Sequence, residues 1–435
     1  MLTLLLVAAC GLLVGIMLGL FSVFPIYFAG FLVYAFHASW TPELLLVFWT
    51  TAAIGSQFFG SVSTITLGIP GESSSLIYVK DLAGMSLADR NRLLYHTSRG
   101  SLFAGMIALI VVWAMYHWLS SYSYMLANVN FTLAIFSIVI LLFAATDRRP
   151  MVAGVLLAIG IMLGPNNNYA LPAEWYRIQQ VFENTSFFLL IAGLMIIPDL
   201  VFNKVGISRE PDHHFSPLSD HFNTRWTVIK STVIGLFAGS VPGPAAETSA
   251  AAAYHAHRKH GRFHQIVAAE TANNPGVVMM FLPFFAMGLP ITASSLIISN
   301  VMDIKNIDIV DFVQQSSQFF SGITVFDLII GTAMLATLFY FVLSIKFIDF
   351  YVALVSRLYE RSRWMLFVII SMMVVIDATI SETNLGMYMM LMIFFTAVGL
   401  SLKYFKANPI LLIFGAMFGD KLIWTTMQFY QINFA

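Results

Sequence analysis

Two segments of this 435-residue sequence break long apolar runs with glycine, proline and clustered hydroxyls: Gly68-Ile69-Pro70-Gly71-Glu72-Ser73-Ser74-Ser75 and, 220 positions later, Gly288-Leu289-Pro290-Ile291-Thr292-Ala293-Ser294-Ser295. Such residues leave backbone amides unpaired, and a helix starting just after them would turn its partially positive N-terminus, with the hydroxyls of Ser73, Ser74, Ser75, Thr292, Ser294 and Ser295, toward whatever lies in front. That chemistry suits a carboxylate; the plainer reading of each hydroxyl is a helix cap. Glu72, Glu247 and Glu270 lie in or beside these and related motifs, where an ionised carboxylate is expensive to keep in a membrane. They would hold Na+ together with carbonyl oxygens, carry a proton, or serve as structural caps. Asn273 and Asn274 follow Glu270 and would either line a site or brace the turn at Pro275.

The surrounding composition decides the setting. With 59% hydrophobic and 10% charged residues, the chain lies far from a soluble domain, in which about 25% is charged. It reads as an all-α polytopic membrane protein. Balanced charge, 22 basic against 22 acidic residues, argues against nucleic acid as a partner, and the single cysteine excludes a disulfide framework. Val7-Ala8-Ala9-Cys10 resembles a lipoprotein cleavage box, but no Lys or Arg precedes it, so residues 1–19 are expected to be retained. Without a Gly-Lys-Ser/Thr phosphate loop, ATP hydrolysis is not expected. Open backbone in lipid survives only where protein or a wet cavity covers it, so the two breaks predict a buried polar site.

Crossings long enough for a bilayer are expected near 44–60, 98–118, 127–146, 150–164, 186–203, 266–282, 321–345, 364–380, 386–402 and 408–425, the fourth and last being short or interrupted. Four further apolar stretches, 3–36, 61–79, 227–254 and 284–299, are broken in the middle and read as half-crossings or distorted helix pairs. At the constant offset of 220, Gly15 and Gly19 match Gly235 and Gly239, and six of the twelve residues in 66–77 match their counterparts. Glycine, proline and paired serines in register indicate an internal duplication. Basic residues then swap sides: 37–43 has none while 257–263 has Arg258, Lys259 and Arg262, and 80–99 has Lys80, Arg90, Arg92 and Arg99 while 300–319 has only Lys305. By the positive-inside rule the second copy is inserted upside down. The expected organisation is two inverted repeats, 1–202 and 226–435, each with broken or re-entrant helical hairpins plus about five transmembrane helices, joined by a polar cytoplasmic linker, 203–225.

Broken segments in inverted repeats mark secondary transporters, which bind substrate and coupling ion near the midplane. A membrane-embedded enzyme acting on a lipid-soluble substrate and a passive anion channel remain as alternatives. The histidines at 255, 257, 260 and 264, like His96, read as solvated basic loop residues, not metal ligands.

The run from Gly60 to Glu72 resembles the first signature of the large membrane subunit of tripartite tricarboxylate transporters, the TctA-like family. Gly239-Ser240-Val241-Pro242-Gly243-Pro244, then Ala268 to Asn274, then Met287-Gly288-Leu289-Pro290 resemble later family signatures. The chain departs from the usual pattern at Ser22-Val23-Phe24-Pro25, at Ile291 in place of a glycine, and at Pro275. The resemblance implies a non-enzymatic permease of the inner membrane that takes up di- or tricarboxylate-like organic anions by symport with Na+ or H+. It also implies a periplasmic solute-binding protein and a small membrane subunit as partners. With it, Gly68, Pro70, Gly71, Ser73, Ser74, Ser75, Pro242, Gly243, Asn273, Asn274, Gly288, Pro290, Thr292, Ser294 and Ser295 become the candidate substrate site and Glu72, Glu247 and Glu270 the cation-coupling candidates, with no other cofactor expected.

Overall fold

A computed structural model describes residues 1–20, 27–68, 72–82, 85–122, 150–163, 189–190, 192–202, 224–240, 245–347, 385–405, 407 and 409–434, with a few isolated positions between them. Among the described residues the fold is helical, and the only β feature is an isolated bridge between Ser316 and Thr324. Among the described residues, five helices are long and apolar enough to cross a membrane: Leu2–Leu20, Pro42–Thr66, Asp89–Ser120, Val325–Lys346 and Leu385–Tyr404. The chain is thus a multi-pass membrane protein. Expected crossings 127–146 and 364–380, apart from isolated positions, and nearly all of the polar linker fall outside the described residues, whereas most of 186–203 lies within them.

Two compact units interleave along the chain. One comprises Met1–Ser120 with Val205–Leu366, the other Ser121–Lys204 with Phe367–Ala435. The first contains α1 (Leu2–Leu20), α2 (Tyr27–Phe36), α3 (Pro42–Leu67) and α4 (Leu87–Ser120), then from the second half of the sequence α7 (Arg225–Gly239), α8 (Ala245–Ala256), α9 (Arg262–Met279), α10 (Phe281–Met287), α11 (Ala293–Ile304), α12 (Ile309–Gln314) and α13 (Val325–Lys346). The second contains α5 (Pro150–Leu163), a π-helical turn Ala192–Ile196 leading into α6 (Ile197–Phe202), α14 (Leu385–Tyr404) and α15 (Ile410–Phe434). There α5 packs on α15, and α14 packs on the π turn and α6.

Small residues let the helices of the first unit approach closely. α1 lies along α3, and a Cβ on Gly19 would fall 2.5 Å from the Ser56 carbonyl oxygen; α7 lies along α9, and a Cβ on Gly239 would fall 2.5 Å from Gly276 Cα. In lipid, where burial of apolar surface drives little helix association, such close backbone packing is a main source of cohesion. The contacts at 19–56 and 239–276 are again 220 positions apart. Each short second arm covers a break from the other half of the sequence: α2 packs on α11, and α8 packs on the 3-10 turn Ser73–Ile77.

Three expectations about the broken stretches change. α1 has 19 residues, about 28 Å at 1.5 Å per residue, so it is long enough to be a full crossing. The stretch 61–79 is not an independent broken element, because α3 runs unbroken from Pro42 to Leu67 before ending at Gly68. Ile410–Phe434 is a single 25-residue helix, not a short one. The breaks at 227–254 and 284–299 do separate helices, α7 from α8 and α10 from α11.

Candidate functional site

Both breaks begin alike. Gly68 and Gly288 take the left-handed conformation, φ 68° and 65°, that a side chain would strain. Each returns its amide to the carbonyl four residues back, Gly68 to Thr64 at 2.9 Å and Gly288 to Phe284 at 3.0 Å, which ends the helix. The residue four positions on is extended in both, Glu72 and Thr292. Ser75 Oγ donates to the Glu72 carbonyl at 2.7 Å, and Ser295 Oγ to the Thr292 carbonyl at 3.0 Å.

Beyond that point they diverge. After Thr292 runs α11, twelve residues opened by a reciprocal cap: the Thr292 hydroxyl accepts from the Ser295 amide, and Ser295 Oγ accepts from the Thr292 amide. After Glu72 comes only the 3-10 turn Ser73–Ile77, which replaces the expected half-helix. Three successive serines have poor helix propensity, and a hydroxyl bonded back to the backbone competes with the helical pattern. Five residues build no appreciable helix dipole. The anion-binding N-terminus expected at Gly68–Ser75 is therefore reduced to local amides and hydroxyls.

Glu72 and Glu270 come together although 198 positions separate them in sequence. Glu270 is buried in the middle of α9. Its two carboxylate oxygens each receive a hydroxyl proton, one from Ser61 on α3 and the other from Tyr78 just past the 3-10 turn. Glu72 packs against Gly60, where an added Cβ would come within 3.1 Å of its side chain, and accepts from the Asn273 amide nitrogen. Glu247, in the first turn of α8, and the Ser74 hydroxyl also lie close enough to Glu72 to act on it electrostatically. Asn274 is turned to its own helix and donates to the Glu270 carbonyl at 3.3 Å, which braces the backbone ahead of Pro275. Ser294 is held by Trp49 of α3, whose indole N–H donates to its Oγ at 2.7 Å.

The structure thus joins Glu72, Ser74, Glu247, Glu270 and Asn273, and puts Gly288, buried Pro290, Thr292, Ser294 and Ser295 into the second tip. Pro70, Gly71, Pro242 and Gly243 lie outside the described residues, as does the Ser73 side chain. Sequence reading missed Ser61, Tyr78 and Trp49. Ser61 belongs to the Gly60-to-Glu72 run, which was available as a signal; Tyr78 is a phenol at the end of an apolar triplet, and nothing local announces its partner.

The histidines need correction. His257 and His96 are buried, not solvated; His257 Nδ1 lies 2.9 Å from the Ala253 carbonyl oxygen and His96 Nδ1 lies 2.8 Å from Thr224 Oγ1. Close packing of α8 against α9 encloses the link between them. His255 and His260 are exposed, as expected, and among the described residues no His, Cys, Asp or Glu group is arranged to hold a metal.

The order of these signatures is matched by a family description, Tripartite tricarboxylate transporter TctA family, over residues 5–414. The chain belongs to the TctA family. This is a family of transporters, not of enzymes, and the non-enzymatic reading of the sequence stands. A curated protein of Agrobacterium vitis, described as an uncharacterized 52.8 kDa protein in the TAR-I ttuC' 3'region, is 23% identical over 275 residues, 58% of this chain. The match spans about half of that relative, 54% of its length. No solved structure matches.

Proposed function

We propose that this TctA-family chain is the membrane permease subunit of a binding-protein-dependent secondary transporter that takes up di- or tricarboxylate-like organic anions with Na+ or H+. The observation that carries the reading is the pair Glu72, half-buried at a helix break that recurs 220 positions away, and Glu270, buried in α9, both held by hydroxyl or amide donors. Buried ionisable groups of this kind are costly in a bilayer and are kept where an ion or substrate is handled. Backbone amides and hydroxyls at the Gly68 and Gly288 breaks suit the substrate carboxylates. The periplasmic binding protein and the small membrane subunit follow from the family's tripartite character, and the inner membrane is where such a permease would act.

The inverted duplication belongs to this reading. It is supported by the swapped basic residues and by the paired geometry: Gly19 with Ser56 and Gly239 with Gly276, the left-handed Gly68 and Gly288, and second arms α2 and α8 that each cover the other half's break. Single cysteines at positions 88 and 260, in a Cys10→Ser background, are expected to react from the cytoplasm, and those at 40 and 308 from outside; opposite sidedness within either pair overturns the inversion. Transport is tested in proteoliposomes with labelled di- and tricarboxylates, with and without the binding protein and a Na+ or pH gradient. Gradient-dependent accumulation is expected. Equilibration without any gradient requirement would make the chain a channel, and no uptake of any carboxylate would overturn the proposal.

A further inference from the structure

Resting on the carrier reading above, we infer that the coupling ion is a proton and that Glu72 and Glu270 share it, with the Asn273 amide switching between donor and acceptor as the proton arrives and leaves.

The argument starts from what surrounds the two carboxylates. Glu270 has both oxygens occupied by hydroxyl donors, Ser61 and Tyr78, and Glu72 receives an amide N–H from Asn273. Na+ would need a shell of oxygen ligands, so these hydroxyls and the amide would have to turn and offer their oxygens instead of their hydrogens. A proton needs none of that shell. It needs one carboxylate oxygen and an acceptor for the O–H it creates.

That acceptor is present. The Asn273 carbonyl oxygen Oδ1 is buried and has no hydrogen-bond partner, while the nitrogen of the same amide is bonded to Glu72. A buried amide oxygen left unpaired is unfavourable. When Glu72 takes up a proton, rotation of the amide by half a turn brings Oδ1 to the new O–H and satisfies it. The two ends of one side chain therefore match the two protonation states of Glu72.

The electrostatic setting favours one proton over none. The charged groups acting on Glu72 are Glu270 on α9 and Glu247 on α8, both negative. Of the cations nearby, Arg90 on α4 is turned to the carbonyl oxygens of Thr66 and Leu82 at 3.2 and 2.9 Å, and Arg262 on α9 lies 3.9 Å from Asp81. Half-buried Glu72 and buried Glu270, with like-charged company, take up one proton as a pair, and the pair then carries one negative charge instead of two.

The experiment uses the whole protein in proteoliposomes containing a pH-sensitive dye, with citrate and succinate as probes and the cognate binding protein present. Expected is substrate-induced proton movement in Na+-free buffer, lost to background in Glu72→Gln and Glu270→Gln. Tyr78→Phe, which removes one donor from the ionised pair and keeps the ring, should move the pH profile of uptake about one unit alkaline, the size of a lost hydrogen bond to a carboxylate. That arm decides the matter if the Gln variants fail to fold. Uptake that requires Na+ and moves no protons overturns this inference and leaves the carrier reading standing. Full proton movement in both Gln variants, or an unshifted Tyr78→Phe profile, also overturns it. Absence of any uptake in the wild type overturns the carrier reading itself.

Discussion

The break at Gly68 and the break at Gly288 start with the same backbone and end with different chemistry. Both stop a long helix with a left-handed glycine and restart the chain from an extended residue. In the second, the restart is a twelve-residue helix whose hydroxyls Thr292 and Ser295 are spent on capping each other, behind an apolar Ile291. The first restarts as one 3-10 turn, flanked by a phenol that reaches a carboxylate on α9 and a carboxylate that accepts from Asn273 of the same helix. Each tip is gripped by the long helix of the other half, Ser294 by Trp49 of α3 and Glu72 by Asn273 of α9. One scaffold thus holds a tip built for stability and a tip built for charge.

The largest effects should fall on what the two halves have in common. Gly19→Val and Gly239→Val each drive a side chain into facing backbone, at a cost of about 1–3 kcal/mol or more because backbone cannot yield as a flexible side chain does. Both variants should lose the sharp thermal transition of the purified protein; a drop in only one would break the equivalence of the two crossings. Next come the tips themselves. Tyr78→Phe removes a hydroxyl from a buried carboxylate, worth about 1.5–3 kcal/mol, whereas Thr292→Val removes a helix cap, worth about 1 kcal/mol. Unfolding midpoints measured side by side should rank them in that order.

Trp49→Phe deletes the bond to Ser294 but retains ring packing against Phe281, Phe284 and Phe285, so a loss of about 1 kcal/mol is expected. A larger loss would mean that the second tip depends on α3 as heavily as the first depends on α9. The smallest effect concerns the links between arms and long helices, where His37 and His257 both turn Nδ1 to a carbonyl oxygen of the preceding helix, at 2.5 and 2.9 Å. Burial pushes the His257 imidazole below the usual histidine range. The unfolded chain therefore takes up a proton first as pH falls, so this contribution to stability is complete above about pH 6.5 and is lost below it. Melting curves across that interval should show an acid-side decline that His257→Gln reduces.

Much of this was legible before any coordinates. Helix breakers inside apolar runs located Gly68, Gly288 and the gap between α7 and α8, because lipid leaves so few other ways to satisfy a backbone. Glu72 and Glu270 stood out for the same reason, as charges in the wrong solvent. The break after Leu67 was expected, but α3 runs unbroken up to it, past the end expected at position 60, where Gly60 is a contact point for Glu72. His257 and His96 were misread because a basic loop was taken to be solvated, whereas helix packing encloses them.

Alone, the sequence determined the membrane setting, the family, the two breaks and the acids beside them, since all of these depend on residue type and local order. Only the tertiary structure decided which groups meet. Ser61, Tyr78, Asn273, Glu72 and Glu270 come from α3, the 3-10 region and α9, and no periodicity within one helix specifies a partner about 200 positions away. It also decided that two similar tips are unequal, because whether a serine hydroxyl caps a helix, bonds an indole or faces a carboxylate depends on what the neighbouring helix puts beside it.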